Sequence, residues 1–175
     1  PTDASYVLAC HLEDRTAVDR MRQLRGIDEK HLLTLLCRDL SELSQYAQVD
    51  NRQFRFLKEW TPGAYTFILP ATREVPRRLM HPSRKTVGLR VPEAPIVQAL
   101  LAELGVPLLC ASLILPGDEN PLSDPDDIED RIGKRIDLLV DGGAGQLEAT
   151  SVIDVTGDEP VIQRVGLGPV EAMLR

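Results

Sequence analysis

The chain has 175 residues and carries 27 acidic against 20 basic side chains, for a net charge of −7. Hydrophobic residues make up 43% of it and charged residues 27%, which excludes a disordered chain and fits one domain with a sizeable core. The pI near 5.0 excludes a uniformly basic nucleic-acid-binding surface but allows a local one. No membrane-length apolar run and no signal peptide is visible, so we expect a cytoplasmic protein with no membrane partner.

The first half of the chain alternates between helical and strand-like apolar spacing. Ala17, Met21 and Leu24 recur at helical spacing behind Asp14, a residue that favours a helix N-terminus. Short apolar runs bounded by Pro or Gly are typical of buried strands. In chain order the pattern predicts a helix over 14–25, a strand over 32–37, helices over 40–47 and 52–60, and a strand over 64–69.

The second half continues the alternation and ends in closely spaced strands. Asp124-Pro125-Asp126-Asp127 is typical of a helix start, because a cap, a first-turn proline and acids at the positive dipole end all favour it. Glycine tolerates positive φ, so a plain turn explains the glycines of 142–145. The pattern predicts strands over 86–91, 108–114, 137–141, 151–155 and 161–164, a helix over 96–104, and a helix from 124 with Ile128, Ile132 and Ile136 on its inner face.

The connections between these elements indicate the fold class. The early ones are long enough for helical crossovers and the late ones are too short, which favours a sheet that is parallel in part and antiparallel in part. No repeat, linker or composition shift divides the chain. We therefore predict a single α/β domain over residues 1–175, with a twisted, open, mixed sheet and helices packed on it.

The sequence contains none of the common catalytic or metal-binding motifs that were sought. Cys10, Cys37 and Cys110 are dispersed in apolar stretches, as are the histidines along the chain, which favours free buried thiols in a reducing compartment and no metal site. No phosphate-binding loop, dinucleotide fingerprint or zinc-protease motif is present, so no catalytic residue is assigned. The acids of 124–127 could in principle bind a metal, but helix capping already accounts for them.

The densest positive cluster is the segment 77–85, with Arg90 close behind it. Such a patch can hold phosphates through charge and bidentate guanidinium contacts. A solvated surface segment explains the same residues equally well. If the patch binds nucleic acid, the contacting side chains are Arg77, Arg78, Arg84 and Lys85.

Several segments, in order along nearly the whole chain, resemble those of the YrdC/YciO family. They are Pro1-Thr2-Asp3-Ala4-Ser5-Tyr6-Val7-Leu8, Pro62-Gly63-Ala64-Tyr65-Thr66-Phe67-Ile68-Leu69, Thr86-Val87-Gly88-Leu89-Arg90-Val91-Pro92, Ala149-Thr150-Ser151-Val152-Ile153-Asp154 and Arg164-Val165-Gly166. The resemblance implies a YrdC-like fold whose members bind double-stranded RNA or tRNA. It also implies a helix and a strand before Pro1, which the printed chain does not contain.

The family is typified by threonylcarbamoyl-AMP synthase, which joins threonine, bicarbonate and ATP into an adenylate used to modify tRNA. The resemblance implies no tightly bound cofactor, with ATP and Mg²⁺ as a bound nucleotide, and tRNA or rRNA as partners. It implies amino-acid contacts from Thr2, Ser5 and Tyr6. It implies nucleotide or phosphate contacts from Arg22, Arg90, Ser112, Ser151 and Arg164.

Two departures from the synthase pattern are visible. The synthases carry a Lys-x-Arg motif after the first segment, and the matching positions here are Arg22-Gln23-Leu24. They also carry a Ser-x-Asn motif, and the matching positions here are Ser112-Leu113-Ile114. Neither Leu24 nor Ile114 can donate to a phosphate. The pattern resembles the YciO branch and favours an RNA- and nucleotide-binding protein with degraded synthase motifs. The alternatives are a weak or altered synthase and a protein whose groove is vestigial.

Overall fold

The computed structural model describes residues 1–174 and contains one mixed sheet. Its strands are β1 (Val7–His11), β2 (Thr34–Leu36), β3 (Tyr65–Pro70), β4 (Thr86–Arg90), β5 (Leu108–Ser112), β6 (Ser151–Asp154) and β7 (Val161–Arg164). They lie in the order β1-β5-β2-β4-β3-β6-β7. The pairs β2–β4 and β3–β6 are parallel, whereas β1–β5, β2–β5, β3–β4 and β6–β7 are antiparallel. The predicted mixed α/β architecture is confirmed.

Helix boundaries follow from capping chemistry. The helices are α1 (Arg15–Arg25), α2 (Leu40–Tyr46), α3 (Asn51–Trp60), α4 (Pro95–Leu104) and α5 (Pro125–Ile132), with short 3-10 helices at Arg77–Leu79, Gly133–Arg135 and Glu171–Leu174. Asp14 caps α1 by accepting the Ala17 N–H at 3.0 Å, and Gly26 ends it at φ +66°. Asp124 caps α5 through the Asp126 N–H. Because this bond uses the Asp124 carboxylate, capping accounts for the acidic run as predicted.

The two faces of the sheet carry different layers. The larger core covers one face and includes Leu35, Phe67 and Leu89 together with Val18, Met21 and Leu24 of α1. The smaller core joins Leu36 and Cys110 to Val97 and Leu101 of α4 on the other face. Since α4 covers only part of that second face, polar residues of β2, β3 and β4 lie beside it.

Two strand assignments differ from the sequence expectation. The strand β1 was not predicted, because its short apolar run coincides with the end of the first family motif. The predicted strand over 137–141 is wrong: these residues pair with no strand in the described chain, and Leu138 is 76% exposed. A cleft of about 490 Å³ separates them from β1. A strand needs a hydrogen-bonded neighbour, and periodicity alone does not provide one.

Candidate functional site

A row of polar groups crosses the face of the sheet beside α4. A Cβ added to Gly88 would lie 2.8 Å from Thr34 Oγ1 and 3.1 Å from Thr66 Cγ2, so the glycine leaves room for both threonine side chains against its backbone. The hydroxyls of Thr66 and Thr150 lie 2.7 Å apart and are buried. The Thr150 carbonyl accepts hydrogen bonds from Arg164 Nε and Nη2 at 3.1 and 2.7 Å. The row thus connects the middle of the sheet to the arginine at the end of β7.

Arg164 belongs to a cation cluster formed with Arg22, Arg25 and His31. The last turn of α1 supplies Arg22 and Arg25, and the loop after Gly26 supplies His31. Arg22 Nη1 donates to the Asp28 carbonyl at 2.6 Å, and Arg25 Nη1 donates to the Ile114 carbonyl. Each arginine is therefore held by a backbone carbonyl. Within residues 1–174, none of the three forms a salt bridge with a carboxylate.

The environment of this cluster disfavours additional positive charge. Burial lowers the pKa of the Arg25 guanidinium, and the charge of Arg164 lowers it further. Burial also lowers the pKa of Arg164. The pKa of His31 is also lowered, and burial is the largest cause. The charges of Arg25, Arg22 and Arg164 lower this pKa further, whereas the charge of Asp28 raises it. An anion at this position would offset the repulsion among these cations.

The structure places Leu24 differently from the motif assignment. Leu24 is 3% exposed and lies in the larger core beside Met21. Arg25 lies with Arg22, since residues three apart share one face of a helix. Gln23-Leu24-Arg25 also has the spacing of Lys-x-Arg, with an arginine at the cluster and a glutamine in place of the lysine. The helical spacing of Met21 and Leu24 was the sequence signal that could have revealed Arg25.

The Ser112 segment reaches the same cluster. Ser112 ends β5 half-buried, and Ile114, also half-buried, offers its carbonyl to Arg25. A Cβ on Gly26 would lie 3.0 Å from Pro116 Cγ, so this segment packs closely against the end of α1. Of the predicted phosphate contacts, the structure thus brings together Arg22 and Arg164, and Ser112 lies two residues before the Ile114 carbonyl that holds Arg25.

Arg90 lies outside this group, in a buried ion pair. Its Nη2 donates to Asp3 Oδ1 at 2.6 Å and to Thr2 Oγ1 at 3.3 Å. The Thr2 hydroxyl also donates to the Ser5 carbonyl at 2.7 Å and accepts the Ala4 N–H at 3.0 Å. Ser5 is 1% exposed. These bonds fix the turn of residues 2–5, and they favour a structural role for Thr2 and Arg90 over the predicted ligand contacts.

Tyr6 and Ser151 also use their hydroxyls internally. Tyr6 Oη donates to the Gly143 carbonyl at 2.6 Å and accepts the Gly142 N–H at 3.1 Å. Ser151 Oγ donates to the Gly168 carbonyl and accepts the Gly166 N–H at 2.8 Å. Both side chains are buried. The geometry therefore favours bracing of glycine-containing turns over direct binding of an amino acid or a nucleotide.

The basic segment 77–85 lies on the connection between β3 and β4. Arg77, Arg84 and Lys85 are exposed. Arg78 is half-buried and donates from Nη2 to the Leu12 carbonyl at 2.9 Å. The segment therefore contacts the end of β1, whereas the cation cluster is built from α1, the loop after it and β7. Three of the four predicted RNA contacts face solvent, and Arg78 anchors the segment.

The described residues contain no group of three or more His, Cys, Asp or Glu side chains placed to hold a metal ion. None of the helices over 1–174 has the length and apolarity needed to cross a membrane.

A cleft of about 540 Å³ opens where β2 and β4 end, lined by residues that include Arg38, Lys58 and Pro92. The residues of the cation cluster do not line this cleft.

The mixed sheet, with α4 on one face and the other helices packed against the larger core, defines an α/β protein of the YrdC-like fold. A family model described as "Telomere recombination", which covers the Sua5, YciO and YrdC proteins, matches residues 1–166. The chain belongs to this Sua5/YciO/YrdC family.

Similar proteins include both branches considered above. The uncharacterized protein YciO of Escherichia coli K12 is 52% identical over 174 residues, covering 99% of this chain and 84% of that protein, and its crystal structure superimposes with a TM-score of 0.95. The threonylcarbamoyl-AMP synthase of Serratia proteamaculans is 28% identical over 93% of this chain and 87% of its own length. The crystal structure of P. abyssi Sua5 complexed with L-threonine has a TM-score of 0.89 at 26% identity, covering 99% of this chain and 51% of Sua5.

Proposed function

We propose that this protein binds a nucleotide through its phosphates at the cluster of Arg22, Arg25 and Arg164. One observation carries the proposal: all three guanidiniums are held by carbonyl oxygens, and within residues 1–174 none of them forms a salt bridge with a carboxylate. The Nε of Arg25 is also buried without a hydrogen-bond partner. An anion bound beside these three positive charges would offset their mutual repulsion.

Phosphates suit this arrangement better than single carboxylates do. Guanidiniums bind phosphate oxygens through paired, charge-assisted hydrogen bonds, and several of them can share the charge of a triphosphate. The carbonyl contacts hold each side chain in place before the ligand arrives, which lowers the entropic cost of binding. Mg²⁺ would enter with the nucleotide and be held mainly by phosphates and water, because the cluster contains only the Asp28 carboxylate.

The binding experiment is a calorimetric titration of the full chain with MgATP. We expect saturable binding that Arg25→Gln weakens by about 10- to 100-fold, since a hydrogen bond to a charged group contributes about 1.5–3 kcal/mol. Arg15→Gln is the matched control, because Arg15 is exposed at the other end of the same helix. Equal affinities for both variants would show that ATP does not use the cluster.

We extend the proposal to double-stranded RNA or tRNA, bound by the exposed side chains of Arg77, Arg84 and Lys85. Phosphate contacts release counterions, so affinity should fall steeply between roughly 50 and 200 mM salt. The triple change of these residues to glutamine should reduce both the affinity and the salt dependence. Changing Arg52, Arg55 and Lys134 to glutamine supplies a charge-matched control elsewhere on the surface. Equal losses in the two triple variants would argue for non-specific attraction.

A threonylcarbamoyl-AMP synthase activity is the second candidate, and Arg25 favours it. With Arg25 in the arginine position of Lys-x-Arg, the differences from the synthase pattern are Gln23 and Ile114. The test is a single-turnover assay with threonine, bicarbonate and labelled ATP. We expect little threonine-dependent pyrophosphate release from the natural chain and a clear gain from Gln23→Lys combined with Ile114→Asn. Efficient release by the unmodified chain would replace the binding role with the enzymatic one.

A further inference from the structure

The loop between α1 and β2 fixes His31 beside the cation cluster. Gly26 redirects the chain at φ +66°, and Ile27 N donates back to the Arg22 carbonyl at 3.1 Å. A tight turn follows, in which His31 N donates to the Asp28 carbonyl at 3.3 Å. That same carbonyl accepts the Arg22 guanidinium at 2.6 Å. The backbone of His31 and the charge of Arg22 therefore converge on one oxygen atom.

Charged groups from every neighbouring element act on the His31 imidazole. Arg22 and Arg25 come from α1 and Arg164 from β7, and all three disfavour protonation. Asp28, in the same turn, favours it. Part of the His31 side chain is exposed, and its ring has no hydrogen-bonded protein partner within residues 1–174. The ring is therefore held beside Arg22, with nitrogens that a ligand can reach.

We propose that His31 takes up a proton when a phosphate-bearing ligand occupies the cluster and then serves as its fourth cation. The ligand's negative charge offsets the positive charge of the arginines around the imidazole, and a protonated ring nitrogen donates to a phosphate oxygen. Protonation and phosphate binding are therefore linked, each strengthening the other by the same factor. Affinity for the ligand rises as pH falls. This inference rests on the proposed nucleotide site and adds a proton-dependent residue to it.

Free ATP also takes up a proton near neutral pH, so the test must separate the two sources. MgATP binding is measured by calorimetry from about pH 6 to pH 8.5 in buffers of different ionisation enthalpy. The natural chain, His31→Gln, His31→Lys and His31→Arg are compared, with His11→Gln as the control because His11 is an exposed histidine on β1. Proton uptake that persists in His31→Gln belongs to the nucleotide.

As the pH falls across this range, the affinity of the natural chain and of His11→Gln for MgATP should increase about tenfold more than the affinity of His31→Gln does. Proton uptake on binding should be larger in the same two proteins. His31→Lys and His31→Arg place a permanent positive charge at this position, so their affinity for MgATP should stay high across the whole pH range. Equal pH dependence in the natural chain and His31→Gln overturns the role of His31 and leaves the arginine site standing. Absence of MgATP binding to the natural chain overturns the site and this inference together.

Discussion

The carboxylate of Asp3 and the guanidinium of Arg90 form a buried ion pair at 2.6 Å, with side-chain exposures of 11% and 4%. The second Asp3 oxygen accepts the Glu93 N–H at 2.8 Å, and the Cys37 N–H donates to the Arg90 carbonyl. The pair therefore ties the turn of residues 2–5 to the carboxyl ends of β2 and β4. A charge so deeply buried is tolerated only because its partner is present.

Removal of the Asp3 charge should destabilise the fold strongly. Asp3→Asn keeps the size of the side chain but leaves the Arg90 charge buried and unpaired, a change that typically costs about 3–5 kcal/mol. The measurement is urea unfolding at neutral pH. Asp19→Asn provides the control, since Asp19 is exposed on α1 and makes no hydrogen bond in the described chain. If the two variants unfold at the same urea concentration, the pair contributes nothing to stability.

The hydroxyl of Tyr6 should stabilise the glycine turn at 142–143. Tyr6→Phe leaves the Gly142 N–H and the Gly143 carbonyl without their partner, for an expected loss of about 1–3 kcal/mol. Tyr46→Phe is the matched change, because the Tyr46 hydroxyl has no protein partner among the described residues. Its free energy of unfolding should stay within about 0.5 kcal/mol of the natural chain. Increased amide exchange at the turn in Tyr6→Phe alone would locate the effect.

The sequence predicted most of the elements because local rules govern them. Asp14, Pro125 and Gly105 mark helix ends through capping and positive φ, and the apolar spacing identified the helix faces. Strand pairing is a long-range property. The residues over 137–141 have strand-like composition but no partner in the described chain, whereas β1 pairs with β5 from the far side of the sequence.

The site was less predictable than the fold, for the same reason. Arg22 and Arg164 were predicted, yet their meeting depends on where β7 lies relative to α1. Arg25 was missed because motif matching was placed ahead of helical spacing, and His31 because a single histidine carries no local pattern. For Tyr6 and Ser151, the resemblance implied ligand contacts, whereas the hydrogen-bond partners of their buried hydroxyls in the structure are backbone groups.

The position of Leu24 allows a direct test of the two possible motif assignments. Leu24→Arg places a charge in the core, where Leu24 is 3% exposed, and should prevent stable folding. Even Leu24→Ala should cost about 2–5 kcal/mol. Gln23→Arg adds the same charge at an exposed position on the same turn and should change stability by less than about 0.5 kcal/mol. Thermal unfolding of the three variants distinguishes them. A folded Leu24→Arg protein with natural stability would restore the original motif assignment.

The buried thiol of Cys110 should make the protein less stable at alkaline pH. Burial raises the pKa of this thiol from about 9 to about 11, so the folded protein holds the proton more tightly than the unfolded chain does. Stability from this group is therefore complete below about pH 9 and is lost as pH rises toward 11. The loss should approach about 2–3 kcal/mol, since each pKa unit corresponds to about 1.4 kcal/mol.

Urea unfolding at about pH 8 and pH 10.5 measures this loss as a difference within each variant. Cys110→Ala should lose less stability between these two pH values than the natural chain does. Part of the loss should remain in this variant, because burial also raises the thiol pKa of Cys10 and of Cys37. Val97→Ala is the matched control, because Val97 packs in the same small core and has no proton to lose. It should lower stability equally at both pH values. An unchanged alkaline loss in Cys110→Ala would mean that this thiol ionises alike in the folded and unfolded chains.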